Sequence, residues 1–219
     1  MKKRSKTLIK DISQLSIIEE NEYYGIVGGC NKDAIIWYNI AKNNLNSAKI
    51  LFDNKQYPHS IFFLQQCVEC LIKGIFVECD VVISPHELGH NPEKAFQELY
   101  KKMNDETNTE NCEFILRKIS GNENSFERKL PIISQLVNSA REQYSNNMLI
   151  SYAKYSYVNT VLFCLAILFK GTEDSSRYPS LGKSPTDLYS TDVIKKYLPS
   201  ILNFIASIIK ILGVSEEES

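Results

Sequence analysis

Long apolar runs are missing from this chain of 219 residues: the longest, Val158 to Phe169, is 12 residues and still contains Asn159 and Thr160. A bilayer crossing takes about 18–20 apolar residues, so no membrane insertion is expected. An excess of charge is missing as well, with 25 Lys and Arg against 26 Asp and Glu and a net charge of −1. That balance excludes a strongly basic nucleic-acid coat, although a local basic patch remains open. Cysteine is too sparse for a disulfide scaffold, at 6 residues spread over the whole length. Cys67 and Cys70 do form a C-x-x-C. The surrounding run, Phe62 to Phe76, is a continuous helical pattern with no strand before it, unlike a thioredoxin-type redox turn. No second pair follows at zinc-ribbon spacing, so these thiols are expected to pack in the core.

What is present is helical periodicity. Apolar residues three or four apart mark a first helix over about 33–53, with Trp37, Ala41, Leu45, Ala48 and Phe52 on one face. Pro58 suits the first turn of a second helix reaching about 78, with the stripe Ile61, Leu64, Val68, Leu71 and Ile75. Gln66, Glu69 and Lys73 share its opposite side, and Glu69 with Lys73 is a favourable i,i+4 pair. A third helix is expected over about 92–104. Residues 105–130 are polar and read as an insertion, with one short helix near 113–119. Two more helices are expected over about 131–146 and 149–170, then a Gly-, Ser- and Pro-rich loop over 171–190. The last helix, about 191–213, carries Ile194, Leu198, Ile201, Ile205, Ile208 and Leu212 in one stripe, with Pro199 either kinking it or marking its start. No segment alternates with period two, so no sheet is expected. The fold class is all-α: an up-and-down bundle of five or six helices over 30–219, whose stripes meet in one core.

The second helix is the most informative segment. Gln56-Tyr57-Pro58-His59-Ser60-Ile61-Phe62-Phe63-Leu64-Gln65-Gln66-Cys67-Val68-Glu69-Cys70-Leu71-Ile72-Lys73-Gly74-Ile75 resembles the signature helix of the HEPN superfamily. The first helix, with Ala41, Leu45, Ala48 and Leu51, is similar to the helix that precedes it there. His86-Glu87-Leu88 resembles the family's third-helix opening, and Arg177-Tyr178-Pro179 a segment before its last helix. The resemblance covers about 33–104 and 149–213 and leaves 105–148 as an enlargement. It implies a helical bundle, often a homodimer, that cleaves RNA, binds nucleotides or RNA, or partners a small nucleotidyltransferase.

Ribonuclease members use an Arg followed, after about four to six residues, by His. Attack by a ribose 2′-hydroxyl needs a general base, and a guanidinium stabilises the charged phosphorane. Here the histidines are His59, His86 and His90, and Arg117, Arg128, Arg141 and Arg177 all follow them. The Arg–His spacing is absent, so the expectation is a non-catalytic module binding a nucleotide, RNA or protein, with a divergent ribonuclease or toxin–antitoxin component as the alternative. Arg177 and Tyr178 are candidate ligand-facing residues, and Gln66, Glu69 and Lys73 candidate groove or interface residues. No cofactor is implied.

Two further motifs compete for attention. His86-Glu87-Leu88-Gly89-His90 matches H-E-x-x-H. On a helix this spacing would aim two imidazoles at one zinc, with the Glu as general base. Pro85 and Pro92 bracket the motif and argue against a helix through it. At the N-terminus, Ile18, Glu22, Tyr23, Ile26, Gly28 and Gly29 stand at the spacing of a double-glycine leader. Residues 1–29 are then a leader-like segment, and the implied processor is the peptidase domain of a peptide-exporting ABC transporter cutting after Gly29. The protein would be cytoplasmic, or exported if that cut occurs. Leu8 to Ile18 is broken by Lys10, Asp11, Ser13 and Gln14, unlike the apolar h-region of about 7–15 residues in a secretory signal.

Overall fold

The computed structural model describes residues 32–78, 89–103, 125–144 and 151–213. Among these residues the secondary structure is helical and no strand forms; the one β-bridge, Ser180 with Lys183, closes a tight turn. Six long helices build the bundle: α1 (Lys32–Asp53), α2 (Tyr57–Glu78), α3 (Pro92–Met103), α4 (Phe126–Tyr144), α5 (Ser151–Phe169) and α8 (Asp192–Ile211). Two short ones, α6 (Thr172–Ser175) and α7 (Pro185–Tyr189), lie between α5 and α8. The all-α bundle expected from the periodicity is therefore the fold.

α1 and α2 form a hairpin around Asn54–Gln56. Lys55 sits in the left-handed region at φ 60°. The Gln56 amide bonds the Leu51 carbonyl at 2.8 Å and the Lys55 amide bonds that of Phe52 at 2.9 Å. This is a Schellman closure with lysine where glycine is usual. Ser60, fully buried, donates from its hydroxyl to the Ala48 carbonyl at 2.8 Å and ties the start of α2 to α1. Farther along, the ring of Tyr38 lies directly on Gly74, where any Cβ would overlap it.

The α1 core stripe is Ala34, Tyr38, Ala41, Leu45 and Ala48; Trp37 and Phe52, expected in it, are half-buried at its border. α2 is the widest contributor, buried almost all round from Ser60 to Phe76. It is long and apolar enough to cross a membrane by length and composition, yet 78% of that stretch is buried in the bundle, as befits a core helix. α5 is buried at every residue from Tyr157 to Phe169 and runs between α2, α3, α4 and α8. A helix apolar on all sides needs partners on all sides.

Two segments differ from the sequence reading, and a third point is decided. α4 starts at Phe126 rather than at Pro131, so the tail of the expected insertion is helix. Phe126 and Leu130 continue the stripe of Ile133, Val137 and Ala140, and their burial outweighs the backbone hydrogen bond that Pro131 forgoes. The expected loop 171–190 is held by α6 and α7, with Tyr189 buried against Phe126 at 5.6 Å between ring centroids. Pro199 lies inside α8, whose start is fixed by Thr191 accepting from the Ile194 amide at 3.4 Å. The short helix expected near 113–119 lies outside the described residues.

Candidate functional site

The polar residues of α2 recur one turn apart at Gln65, Glu69 and Lys73, and they meet. Lys73 Nζ donates to Glu69 Oε1 at 2.6 Å, as the i,i+4 spacing implied. Gln65 donates to Glu69 Oε2 at 3.3 Å and to the His90 carbonyl at 2.7 Å. Gln66 donates to Gln65 Oε1 at 2.6 Å and reaches Glu69 Oε2 at 3.5 Å. His90 completes the set, with Nδ1 3.2 Å from Glu69 Oε1.

Glu69 and Lys73, expected as groove or interface residues, are buried in this network rather than open to a groove. Glu69 is 3% and Lys73 5% exposed, while Gln66 is half-buried. An ion pair removed from water persists only where its remaining hydrogen-bonding capacity is met, and the two glutamines and His90 supply that for the carboxylate. Lys73 also lies over the ring of Trp37, 5.5 Å from its centroid. Gln65, His90 and Trp37 were not singled out for this role. The signal available was Gln65 standing four residues before Glu69, on the same side of the helix.

The exposed member of the network is His90, whose side chain is 62% accessible. It sits in a turn just before α3, after Gly89 at φ +63°. A left-handed residue at position 89 is not part of a helix running on to His90, in keeping with the argument from Pro85 and Pro92 against a zinc helix. His86 and Glu87 themselves lie outside the described residues. Among the described residues no group of three His, Cys, Asp or Glu is placed to hold a metal ion.

Cys67 and Cys70 are free, buried thiols on adjoining turns of α2. Burial pushes Cys67 well above the ordinary thiol range and takes Cys70 up to about 11. Cys164, in α5, is pushed by burial to about 12. Thiols held protonated in this way are poor nucleophiles and act as core side chains.

Arg177 and Tyr178 follow α6. The Arg177 guanidinium lies 5.0 Å over the Phe62 ring and 5.2 Å over that of Tyr178. Glu173 Oε1 at 3.3 Å and Asp174 Oδ1 at 3.7 Å hold it there. The Tyr178 ring is 57% exposed. Phe62 and Gln66 are one turn apart on α2, so the fold brings Arg177 to the helix that carries Glu69 and Lys73. A separate cleft of about 440 Å³ opens beside this segment, between the start of α4, the end of α5 and residues 180–191, with Lys170 and Lys183 on its walls. No motif in the sequence pointed to it. Gly28 and Gly29 lie outside the described residues.

An all-α bundle organised on an α2 of this kind defines a helical-bundle module with a polar network inside its signature helix. Residues 34–130 match the family model of the HEPN domain, in line with the resemblance of the second helix. The match runs through 105–130, which the sequence reading had set aside as an insertion, and it ends before Arg177 and Tyr178. No curated protein and no solved structure matches the chain.

Proposed function

We propose that this chain is a non-catalytic HEPN-type module that binds a nucleotide or RNA at the junction of α2 with the Arg177–Tyr178 segment. One observation carries the reading: an exposed tyrosine ring beside a guanidinium that is itself stacked on Phe62. A base stacks on the open ring, and a phosphate takes over the guanidinium donors from Glu173 and Asp174. The test titrates the full chain with AMP, ATP and a fluorescein-labelled oligouridylate. Tyr178→Ala and Arg177→Ala should each weaken oligouridylate binding about tenfold or more, the scale of one lost stacking contact. Absence of binding, or binding that both substitutions leave unchanged, would sink the reading and turn attention to a protein ligand.

A divergent ribonuclease or toxin–antitoxin role is the second reading, favoured by His90. A solvent-facing imidazole oriented by a buried carboxylate has the geometry of a general base. Cleavage of single-stranded RNA that is lost in His90→Ala would establish it. A nucleotidyltransferase partner belongs with that reading, and co-purification from native cells tests it. Processing after Gly29 by an exporter peptidase is a further proposal; mass spectrometry of the native protein, showing whether it begins at Cys30, tests that one.

A further inference from the structure

The cleft between the start of α4, the end of α5 and residues 180–191 has a volume of about 440 Å³. Small-molecule sites usually span roughly 300–1,000 Å³. The buried part of its lining is aromatic and fixed in place. Phe126 packs on Phe169 and edge-on against Tyr189, whose hydroxyl bonds that of Ser175 at 2.6 Å.

The outer wall is the turn Ser180–Lys183, closed by two backbone hydrogen bonds of 3.0 Å. Its central residues, Leu181 at φ 52° and Gly182 at φ 73°, both lie in the left-handed region, as in a type I′ turn. Glycine, asparagine and aspartate adopt that conformation readily, whereas leucine does so against its own Cβ. Leu181 is also 95% exposed, so its strain is not offset by packing among the described residues. A bulky apolar side chain held strained at the mouth of a cleft is explained by a ligand with an apolar body.

Charges of both signs stand on the same walls: Lys170 and Lys183, and also Glu127 and Asp187. Asp187 is committed within the chain. It accepts from the Ser184 hydroxyl at 2.6 Å and the Ser184 amide at 3.1 Å, which hold its carboxyl below the usual carboxylate range. Lys170 reaches away from the cleft to Glu93 at 3.0 Å, with half its side chain accessible. Glu127, half-buried in the first turn of α4, has no pairing partner among the described residues. An organic anion would answer the lysines and be repelled by Glu127, and an organic cation would meet the reverse. A ligand bearing both charges answers all three.

We infer that this cleft binds a zwitterion with an apolar body, a free amino acid or a short peptide. Its carboxylate goes to Lys170 and Lys183, its ammonium to Glu127, and its side chain between Leu181 and the Phe126–Tyr189 pair. Most of the lining falls after residue 130, beyond the stretch that matches the family model, and neither Arg177 nor Tyr178 belongs to it.

Calorimetric titration of the full chain tests this with four probes: L-phenylalanine, the dipeptide phenylalanyl-leucine, and the half-ligands 3-phenylpropionate and phenethylamine. A zwitterion should bind, and each half-ligand should bind about tenfold or more weaker, the scale of one lost hydrogen bond to a charged group. Glu127→Gln should weaken the zwitterion by a similar factor and leave 3-phenylpropionate unchanged or tighter. Lys170→Met with Lys183→Met should weaken it as much and spare phenethylamine. Leu181→Asn suits the turn better, so its thermal midpoint should hold or rise while affinity for the zwitterion falls. Lys210→Met, exposed at the far end of α8, is the control and should change nothing. AMP should not displace the zwitterion. Absence of binding by both zwitterions, a half-ligand that binds as tightly, displacement by AMP, or affinity indifferent to Glu127→Gln and Leu181→Asn would overturn the inference.

Discussion

His90 Nδ1 lies 3.2 Å from Glu69 Oε1, joining an imidazole in solvent to a carboxylate that is 4% accessible. Lys73 holds the same oxygen from the other side at 2.6 Å. The buried carboxylate thus has a buried partner that it needs and an exposed partner that it orients, and the two can be separated by mutation.

Removing Glu69 should therefore be as damaging as removing a core residue. Glu69→Ala leaves a buried ammonium without its counter-charge and should cost about 3–5 kcal/mol. Leu71→Ala should cost about 2–5 kcal/mol, for lost transfer energy and the cavity left behind. His90→Ala should cost less than about 1 kcal/mol, since an exposed ring gives up only a weak pair. Replacing both ends, with Glu69→Leu and Lys73→Met together, should retain more stability than Glu69→Ala alone. Urea denaturation of the four variants decides; a Glu69→Ala loss near that of His90→Ala would show the pair to be solvated.

Gly74→Ala should destabilise by about 1–3 kcal/mol despite the better helix propensity of alanine. The Cβ would be driven into the Tyr38 ring, which is buried on α1 and has nowhere to go. The loss should shrink in a Tyr38→Ala background, so a double-mutant cycle should show coupling between the two positions. Additive effects would mean that the ring can step aside.

At Lys55 the opposite outcome is expected. A non-glycine residue at φ 60° pays a steric cost that glycine does not. Lys55→Gly should raise stability by about 0.5–1 kcal/mol, a net of relieved strain and the larger unfolded-state entropy of glycine. An unchanged or lower midpoint in thermal unfolding would show that Lys55 makes compensating contacts.

Much of the fold was legible because burial in helices leaves a period. The α8 stripe from Ile194 to Leu212 is buried throughout, and the α1 and α2 limits lie within about a residue of those read from spacing. Two kinds of information were not local. The start of α4 was hidden by Pro131, whose local penalty is overridden by Phe126 packing on Phe169 and Tyr189. The burial of Glu69 was hidden because an i,i+4 ion pair looks the same on a wet face and in a core. Only the arrival of the 89–92 turn, which brings His90 over the helix, distinguishes them, and that is a contact between residues 21 positions apart. The Arg177 stack on Phe62 is longer range still and had no signature beyond the Arg-Tyr-Pro triplet itself.

Lys129 supplies a pH-dependent prediction. Its side chain is buried at the start of α4 and donates to the Ile167 carbonyl at 2.8 Å. Burial lowers it from 10.5 to about 8, with Glu93 opposing and Lys170 reinforcing the shift. The folded chain therefore releases this proton at a lower pH than the unfolded chain does. Between about pH 8 and 10.5 the unfolded state binds more protons, so the Lys129 contribution to stability rises with pH. Below about 8 both states hold the proton, and the full penalty of the buried ammonium, of order 1–3 kcal/mol, is present. The buried thiols act in the other direction above about 9, because Cys67, Cys70 and Cys164 stay protonated in the fold while the unfolded chain ionises. The comparison must then be a difference, wild type against Lys129→Met, in which the thiols cancel. Lys129→Met should be the more stable protein at pH 7, and its advantage should decline steadily as the pH is raised from 8 towards 10. Urea midpoints at half-unit intervals would measure it, and an advantage that grows with pH, or does not change, would show that Lys129 is charged and well solvated in the folded state.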